Sequence, residues 1–373
     1  MPILDEVRAL TPDVRASAEQ IERDRSLPGD LVHRLAGLGV FRLAAPRAAG
    51  GGEADPITMF EVFEELGHAD GSVGWFAMIG AATGIALGRL ADSTATELLA
   101  DPRFLIAGVA APLGRAVAAP GGYRVSGRWP FASASRQATW LVGGCLVMTG
   151  EQPEPLHVIL PAADVTVHDT WDVVGLRGTG SHDIEAVDIF VPAERAFSLQ
   201  RPATRPGPLF AFPVPGLLAF GIGAVSLGIA RAAVAEFTRL AAGKRNPATG
   251  EVLAAKPAAR TALAEAESLV GAGRAFLTGE LASVWRRVTA GEEVGAAERA
   301  RLRLAVAYAT RGAARAVDLL YDAAGGSSLF LSSPLQRHFR DVHAATQHAM
   351  VGSDVLELAG AVLLDQPVPT ARL

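Results

Sequence analysis

Aromatic and hydroxyl side chains are concentrated in one segment, Gly127-Arg128-Trp129-Pro130-Phe131-Ala132-Ser133-Ala134-Ser135-Arg136-Gln137-Ala138-Thr139-Trp140. It contains two Trp in a chain of 373 residues that has 5 Trp and 6% aromatic residues. A planar aromatic ligand needs flat side chains to lie on and hydroxyl groups at its heteroatoms. A β-hairpin whose aromatic side chains fill the core has the same composition. The segment alone leaves both interpretations open.

The patterns on either side of this segment differ. Residues 1–104 have helical periodicity, with Thr11-Pro12 as a helix start. Residues 105–204 hold short β-branched or alternating runs, and residues 205–373 hold long helical segments. We therefore predict an α+β fold that is mainly α: an N-terminal helical layer, a small middle β domain and a C-terminal four-helix bundle.

The runs predict the individual elements. The predicted strands are 104–111, 122–127, 140–148, 156–160 and 184–191. The predicted helices of the bundle are 217–240, 258–289, 296–323 and 335–364. The faces of these helices are rich in Ala, which permits close approach between helices.

Composition and charge exclude several classes of function. Half of the residues are hydrophobic and 20% are charged, which predicts helix faces buried against other subunits. A net charge of −5 argues against nucleic acid as a partner. No uninterrupted apolar run is long enough for a membrane span, and the N-terminus does not resemble a signal peptide. We therefore predict a cytoplasmic protein.

The residues that bind metals in other proteins are not arranged for it here. The single Cys145 excludes a disulfide framework and a zinc site made of cysteines, and we predict a buried thiol. His343 and His348 are five residues apart, which is not a helical metal-ligand spacing. On a continuous last helix, Asp341 and His348 would share one face. We predict no metal site.

A second segment, residues 173–183, is rich in Gly and hydroxyl residues and precedes a predicted strand. Its backbone amides are suited to hold an anion, although a plain β-turn is the alternative. It lacks the Lys of a nucleotide-binding P-loop, and no Gly-x-Gly-x-x-Gly joins a strand to a helix. The segment is therefore a candidate ligand loop outside the common nucleotide motifs.

Three groups of motifs, in this order along nearly the whole chain, resemble the acyl-CoA dehydrogenase superfamily. They are residues 129–135 with Trp140, residues 175–181 with 188–192, and Gly325-Gly326 with residues 334–341. The resemblance implies a flavin against the β domain, with Phe131 near the isoalloxazine ring and Ser133 at its N5 edge. It also implies cofactor-binding positions at Ser135, Thr179, Ser181, Gly325 and Gly326.

The chain departs from the dehydrogenase pattern at the positions of the catalytic base. Acyl-CoA dehydrogenases need a carboxylate to remove a weakly acidic proton. The two usual positions of this base hold Ala349 and an apolar segment near Leu218. In residues 245–250, the Phe that faces the adenosine half of FAD is missing. The resemblance then leaves FMN, or an exchangeable reduced FAD, as the cofactor.

These departures resemble the flavin-dependent monooxygenase branch of the superfamily. That branch takes reduced flavin from a separate flavin reductase and uses O₂ to hydroxylate small molecules. The resemblance implies His348 and Ser133 as catalytic residues, with His348 titrating near neutrality. The apolar composition favours a small apolar or aromatic substrate.

Many monooxygenases of this branch carry a His after the Gly-Trp pair of the N-terminal layer, and here Gly74-Trp75 has none. Trp75 and Met78 are predicted to bind substrate, with plain core packing as the alternative. We predict a homotetramer assembled through the bundle. Two other functions remain open: an acyl-CoA dehydrogenase with a non-standard base, and a non-redox flavin-binding protein.

Overall fold

The computed structural model describes residues 2–149, 152–203, 205–369 and 373. The first layer is helical. It consists of α1 (Pro2–Ala16), α2 (Ala18–Asp24), α3 (Gly29–Gly37), α4 (Pro56–Ala69), α5 (Gly71–Thr83) and α6 (Asp92–Leu99). The carboxylates of Asp55 and Asp70 accept first-turn N–H groups of α4 and α5, which fixes where these two helices begin. A 3-10 segment, Gly84–Arg89, continues α5.

The predicted helix start at Thr11-Pro12 is wrong, because α1 runs through it. Proline at position 12 has no N–H for the carbonyl of Arg8, four residues earlier. The Thr11 hydroxyl donates to that carbonyl instead, at 2.9 Å. The side chain replaces the missing backbone bond, so the helix continues.

The middle of the chain forms one sheet. Its strands are β1 (Ile106–Ala119), β2 (Gly122–Ala132), β3 (Trp140–Thr149), β4 (Gln152–Pro161), β5 (Thr166–His168), β6 (His182–Pro192) and β7 (Ala196–Phe197). They lie in the order β5-β6-β2-β1-β3-β4-β7, with β1 and β3 parallel and the other pairs antiparallel.

The sheet extends beyond the predicted strands. The strand predicted at 104–111 continues to Ala119, through an Ala-rich sequence that also holds a Pro and a Gly and has little strand propensity. Pairing with β2 and β3 holds this half in place. β5 and β7 are three and two residues long, too short for periodicity to indicate them.

Trp129 fills the centre of the sheet domain. Its side chain is 0% exposed, and its indole Nε1 donates to the carbonyl of Gly144 at 2.7 Å. A Cβ added at Gly114, Gly127 or Gly143 would lie 2.3 to 2.9 Å from its ring. Glycines on three strands therefore make room for one large side chain, and for Trp129 the core interpretation is correct.

Gly114→Ala is expected to lower the free energy of unfolding by about 1–3 kcal/mol, because the new methyl group must displace the Trp129 ring. Gly279→Ala, at an exposed helix position with open space, is expected to raise it by about 0.5–1 kcal/mol. Urea unfolding of both variants measures the two changes. A Gly114→Ala variant as stable as the wild type would contradict tight packing around Trp129.

The last part of the chain is helical again. It contains α7 (Pro208–Ala211), α8 (Val214–Gly243), α9 (Pro257–Thr289), α10 (Ala296–Ala324), α11 (Pro334–Thr346) and α12 (Ser353–Leu363). The predicted single helix 335–364 is wrong. Helix α11 ends at Thr346, and a 3-10 turn (Ala349–Val351) separates it from α12.

The three parts share one hydrophobic core. It joins Phe63 of the first layer, Trp129 of the sheet and Phe220 of the bundle, and a buried Glu64 binds Arg274 across α4 and α9 at 3.0 Å. Two segments, Gly71–Arg89 and Val214–Gly243, are long and apolar enough to cross a membrane by length and composition. In each, 89% of the apolar window is buried inside the structure, as in core helices.

Candidate active site

The turn after β2 has a strained backbone. Phe131 and Ala134 have φ values of +64° and +63°, which residues with side chains seldom adopt. A register shift between Trp129 and Ala132 marks a bulge in the pairing of β2 with β6. Ser133 lies between the two strained residues. Strain of this kind clusters at functional sites, so the turn is a candidate site.

Phe131 is exposed although it is aromatic. Its side chain is 71% exposed, and its ring meets the ring of Trp171 edge-on at 6.3 Å. The imidazole Nδ1 of the buried His182 accepts the N–H groups of Thr170 and Trp171 at 3.2 and 3.1 Å. Arg25 donates to the carbonyl of Trp171 at 3.0 Å. These contacts hold the Trp171 ring edge-on against Phe131, at the edge of the turn.

A continuous series of contacts, here called the hydroxyl chain, connects the first layer to the loop 173–181. The Trp75 indole donates to the Ser133 hydroxyl at 3.2 Å. The hydroxyls of Ser133 and Ser181 are 2.7 Å apart, as are those of Ser181 and Thr179. Thr179 in turn donates to the carbonyl of Leu176 at 2.8 Å. The side chains of this chain are all buried, so each polar group in it needs its hydrogen-bond partner; they are Trp75, Ser133, Ser181 and Thr179.

The loop 173–181 is fastened to α11. Asp341 accepts the N–H of Leu176 at 2.6 Å, and Arg340 donates to the carbonyl of Val174. A Cβ on Gly175 would lie 2.1 Å from the carbonyl oxygen of Arg340, so only glycine permits this approach. Burial, followed by the charge of Asp70, raises the pKa of the Asp341 carboxyl to about 7. The contacts of Asp341 with Leu176 and of Arg340 with Val174 hold the loop in position.

His348 lies outside the last helix, so the predicted shared face with Asp341 is wrong. It caps the 3-10 turn: its Nδ1 accepts the N–H of Met350 at 3.2 Å. Its ring centroid is 5.7 Å from that of Trp75, which brings it beside the hydroxyl chain. Burial, and then the charge of Arg303, lowers its pKa to about 4.

The pKa changes the predicted chemistry of His348. A neutral imidazole that accepts at Nδ1 carries its proton on Nε2. At neutral pH the side chain is therefore a hydrogen-bond donor through Nε2, and it does not titrate there as expected from the sequence. The physical reason is burial beside a fixed positive charge.

Arg303 is a functional neighbour that sequence reasoning missed. It is buried on α10 and donates to the carbonyls of Pro215 and Met350 at 2.9 and 3.1 Å. It thereby fixes the start of α8 and the turn that carries His348. The sequence of α10 contains five Arg, so no pattern in it sets Arg303 apart from the others.

Trp75 is the predicted substrate residue that the structure brings to the site. Met78 is 2% exposed, and its side chain packs where a Cβ on Gly221 of α8 would lie, an arrangement that favours core packing. Ser135 is buried near the hydroxyl chain, with its hydroxyl 3.4 Å from the carbonyl of Gly180.

Gly325 and Gly326 lie in a different part of the structure from the hydroxyl chain. They follow the end of α10, where Lys244 donates to the carbonyl of Ala324 at 2.6 Å. This turn packs chiefly on α10 and α11. A cleft of about 810 Å³ near Arg47 and Arg205 also lies elsewhere, since none of the residues lining it belongs to the hydroxyl chain.

The chain matches two family models. The acyl-CoA dehydrogenase N-terminal domain matches residues 2–97, and the acyl-CoA dehydrogenase C-terminal domain matches residues 220–353. Together they cover most of both helical parts of the chain.

Relatives match over nearly the full length. Indole-3-acetate monooxygenase of Pseudomonas putida is 32% identical, over 95% of this chain and 92% of that protein. The flavin-dependent monooxygenase oxygenase subunit HsaA of Rhodococcus jostii is 33% identical, over 91% and 92%. The structure of XiaF from Streptomyces sp. in complex with FADH2 and glycerol aligns with a TM-score of 0.92 and 27% identity, over 99% and 96%.

Proposed function

The chain belongs to the flavin-dependent monooxygenases of the acyl-CoA dehydrogenase family, and on this basis we propose that it is the oxygenase component of a two-component hydroxylase. It takes reduced flavin from a separate flavin reductase and acts with O₂ on a small aromatic substrate. The observation that carries this proposal is the strained turn, which joins an exposed aromatic ring to a buried row of hydroxyls.

The residues present fit a flavin. Phe131 is an exposed aromatic ring, and the half-buried Trp171 meets it edge-on. Ser133, two residues after Phe131 on the same turn, carries a buried hydroxyl that contacts Ser181. An isoalloxazine ring needs both features, a flat apolar face and a polar partner at its heteroatoms.

Reduced flavin, when bound, supplies the electrons that activate O₂ for transfer of one oxygen atom to the substrate. The protein supplies orientation and a dry environment. Ser133 would hold the edge of the ring, and the Nε2 proton of His348 would be available to hold a negatively charged oxygen. Trp75 contacts both residues and keeps their positions fixed.

A dehydrogenase reaction is less well supported. Of its two usual base positions, one holds Ala349 in the 3-10 turn and the other lies at Leu218 in the apolar start of α8. Neither side chain can accept a proton. The buried Asp341 is already engaged with the N–H of Leu176.

The aromatic substrate class rests on two observations. The indole of Trp75 lies beside His348, which provides a flat wall next to a hydrogen-bond donor. A relative that is 32% identical over 95% of the chain is named for indole-3-acetate. A panel of indoles and phenols, with indole-3-acetate as the first probe, tests the class by a mass gain of one oxygen atom.

Stopped-flow absorbance tests the function itself. Anaerobically reduced FMN or FAD with the protein is mixed with oxygenated buffer. We expect a transient band, distinct from oxidised flavin, that decays slowly. Reoxidation at the rate of free flavin would contradict a monooxygenase. Bleaching of oxidised flavin by acyl-CoA without O₂ would instead indicate the dehydrogenase.

Ser133→Ala is expected to increase the share of O₂ released as H₂O₂ about fivefold to tenfold, because one buried hydrogen bond to the ring edge is lost. Peroxide and product are measured together in single-turnover reactions with reduced FMN. Ser126→Ala, which removes an exposed hydroxyl on the preceding strand β2, serves as the control. Unchanged coupling in Ser133→Ala would remove Ser133 from this role.

The cofactor and assembly are part of the proposal. Residues 245–250 form a small turn without the Phe of the dehydrogenases, so either FMN or FAD is accepted, and titrations with each measure the preference. The bundle is proposed to assemble a homotetramer, which light scattering tests. A cytoplasmic location, where reductases supply reduced flavin, accords with these proposals.

A further inference from the structure

The hydroxyl chain has a direction. A hydroxyl group has one proton and a carbonyl oxygen has none. The carbonyl of Leu176 can only accept, and Thr179 donates its proton to it at 2.8 Å. At the opposite end, the Trp75 indole can only donate, and its partner is Ser133 at 3.2 Å. The two ends therefore determine the orientation of everything between them.

The remaining protons follow by elimination. Because Thr179 has spent its proton on Leu176, Ser181 must donate to Thr179. Because the hydroxyl proton of Ser181 is then used in the bond to Thr179, Ser133 must donate to Ser181. This is the single arrangement in which all four contacts are hydrogen bonds. The groups are buried, so an unmade contact is not replaced by water.

The consequence falls on Ser133, the residue at the ring edge in the proposed function. Its proton points into the protein, and it accepts the Trp75 N–H. What it still offers to a ligand is a lone pair. A ligand atom that meets Ser133 must therefore bring a proton of its own.

The two forms of flavin differ in this respect. Reduced flavin carries a proton on N5, whereas oxidised flavin has only a lone pair there. We propose that the hydroxyl chain makes the site selective for reduced over oxidised flavin, with Trp75, Ser181 and Thr179 as positioning residues that fix Ser133 as an acceptor. This inference rests on the proposed function.

The direction of the protons in the hydroxyl chain can be reversed, but the reversal loses one hydrogen bond. Ser133 can donate to oxidised N5 only if Ser181 and Thr179 also turn their protons round. The carbonyl of Leu176 then keeps the Trp171 Nε1 donor at 3.1 Å and the Thr179 backbone N–H at 3.2 Å, and it loses the Thr179 hydroxyl. One buried hydrogen bond corresponds to about fivefold to tenfold in affinity. The site thus favours exchange of spent flavin for reduced flavin.

Thr179→Val tests the inference. Valine has the shape of threonine without the hydroxyl, and Leu176 keeps its Trp171 donor. The proton of Ser181 is then free to turn to Ser133, and that of Ser133 to a ligand. The ratio of the oxidised to the reduced FMN dissociation constant should fall about fivefold to tenfold. The midpoint potential of bound FMN should fall correspondingly, by about 20–30 mV.

Thr179→Ser is the matched control, because it keeps the hydroxyl and should keep the wild-type ratio. Ser181→Ala is the second variant, and it tests the inference if Thr179→Val does not fold. It removes the acceptor of Ser133 and should lower the ratio as well. An unchanged ratio in whichever of the two variants folds would overturn the inference and leave the proposed function standing. A wild-type protein that binds neither form of FMN or FAD would overturn the proposed function itself.

Discussion

His348→Asn is expected to lower the rate of hydroxylated product formation about 100-fold, with affinity for reduced flavin nearly unchanged. The substitution removes the Nε2 proton beside Trp75. It keeps an acceptor for the N–H of Met350, because the Asn side-chain oxygen can cap the turn in place of Nδ1. The fall in rate therefore reports the contribution of the Nε2 hydrogen-bond donor and not a change in the fold. Single-turnover product yield with reduced FMN and indole-3-acetate, or the best substrate of the panel, is the measurement.

His343→Asn is the matched control for this prediction. His343 lies five residues away on α11, and its Nε2 contacts Asp318 at 2.8 Å. We expect its rate to stay within about twofold of the wild type. Since the pKa of His348 is about 4, the wild-type rate should also show no titration of this group between about pH 6 and 8. Full turnover by His348→Asn would leave His348 with the capping role alone.

Asp341→Asn is expected to remove a slope from the pH dependence of stability. Burial and the charge of Asp70 raise the folded-state pKa of Asp341 to about 7, from the ordinary value of 3.8. Between these values the folded chain holds a proton that the unfolded chain has released. The contribution of Asp341 to the free energy of unfolding is therefore complete below about pH 4 and falls as the pH rises to about 7.

Asparagine keeps the acceptor for the N–H of Leu176 and does not titrate. Relative to the wild type, the variant should gain on the order of 2 kcal/mol between about pH 5 and pH 8. Urea unfolding at both pH values measures this gain. Asp5→Asn, at an exposed position on α1, should change stability by less than about 0.5 kcal/mol at either pH. Parallel pH profiles of the wild type and Asp341→Asn would contradict a raised pKa.

The sequence predicts the three-part fold because periodicity is local. It does not separate Trp129 from Phe131. In a regular strand these residues point to the same face. The bulge and the positive φ of Phe131 break that alternation, so one ring is buried and the other exposed. The core interpretation of the segment is thus correct for Trp129, and the ligand interpretation stays a prediction for Phe131.

The site could be predicted only where a motif carries it. Ser133 and Ser181 follow from the family resemblance, and the structure brings them to 2.7 Å. The role of Asp341 could not be predicted, because its partner Leu176 is 165 positions away in the chain. The break before His348 is weakly marked, with Gly352 as its main signal. Contacts between distant segments leave no periodic pattern.

The fastening of loop 173–181 determines when the site can form. Arg340 contacts Val174 of the loop and also Glu22, which is 318 positions away. The loop closes only after the beginning and the end of the chain have met, and closing such long loops is slow. During synthesis the sheet can pair before the last helices leave the ribosome, but the loop cannot yet be fixed. We expect the ability to bind flavin to appear last in folding, so that unfinished chains do not take up reduced flavin.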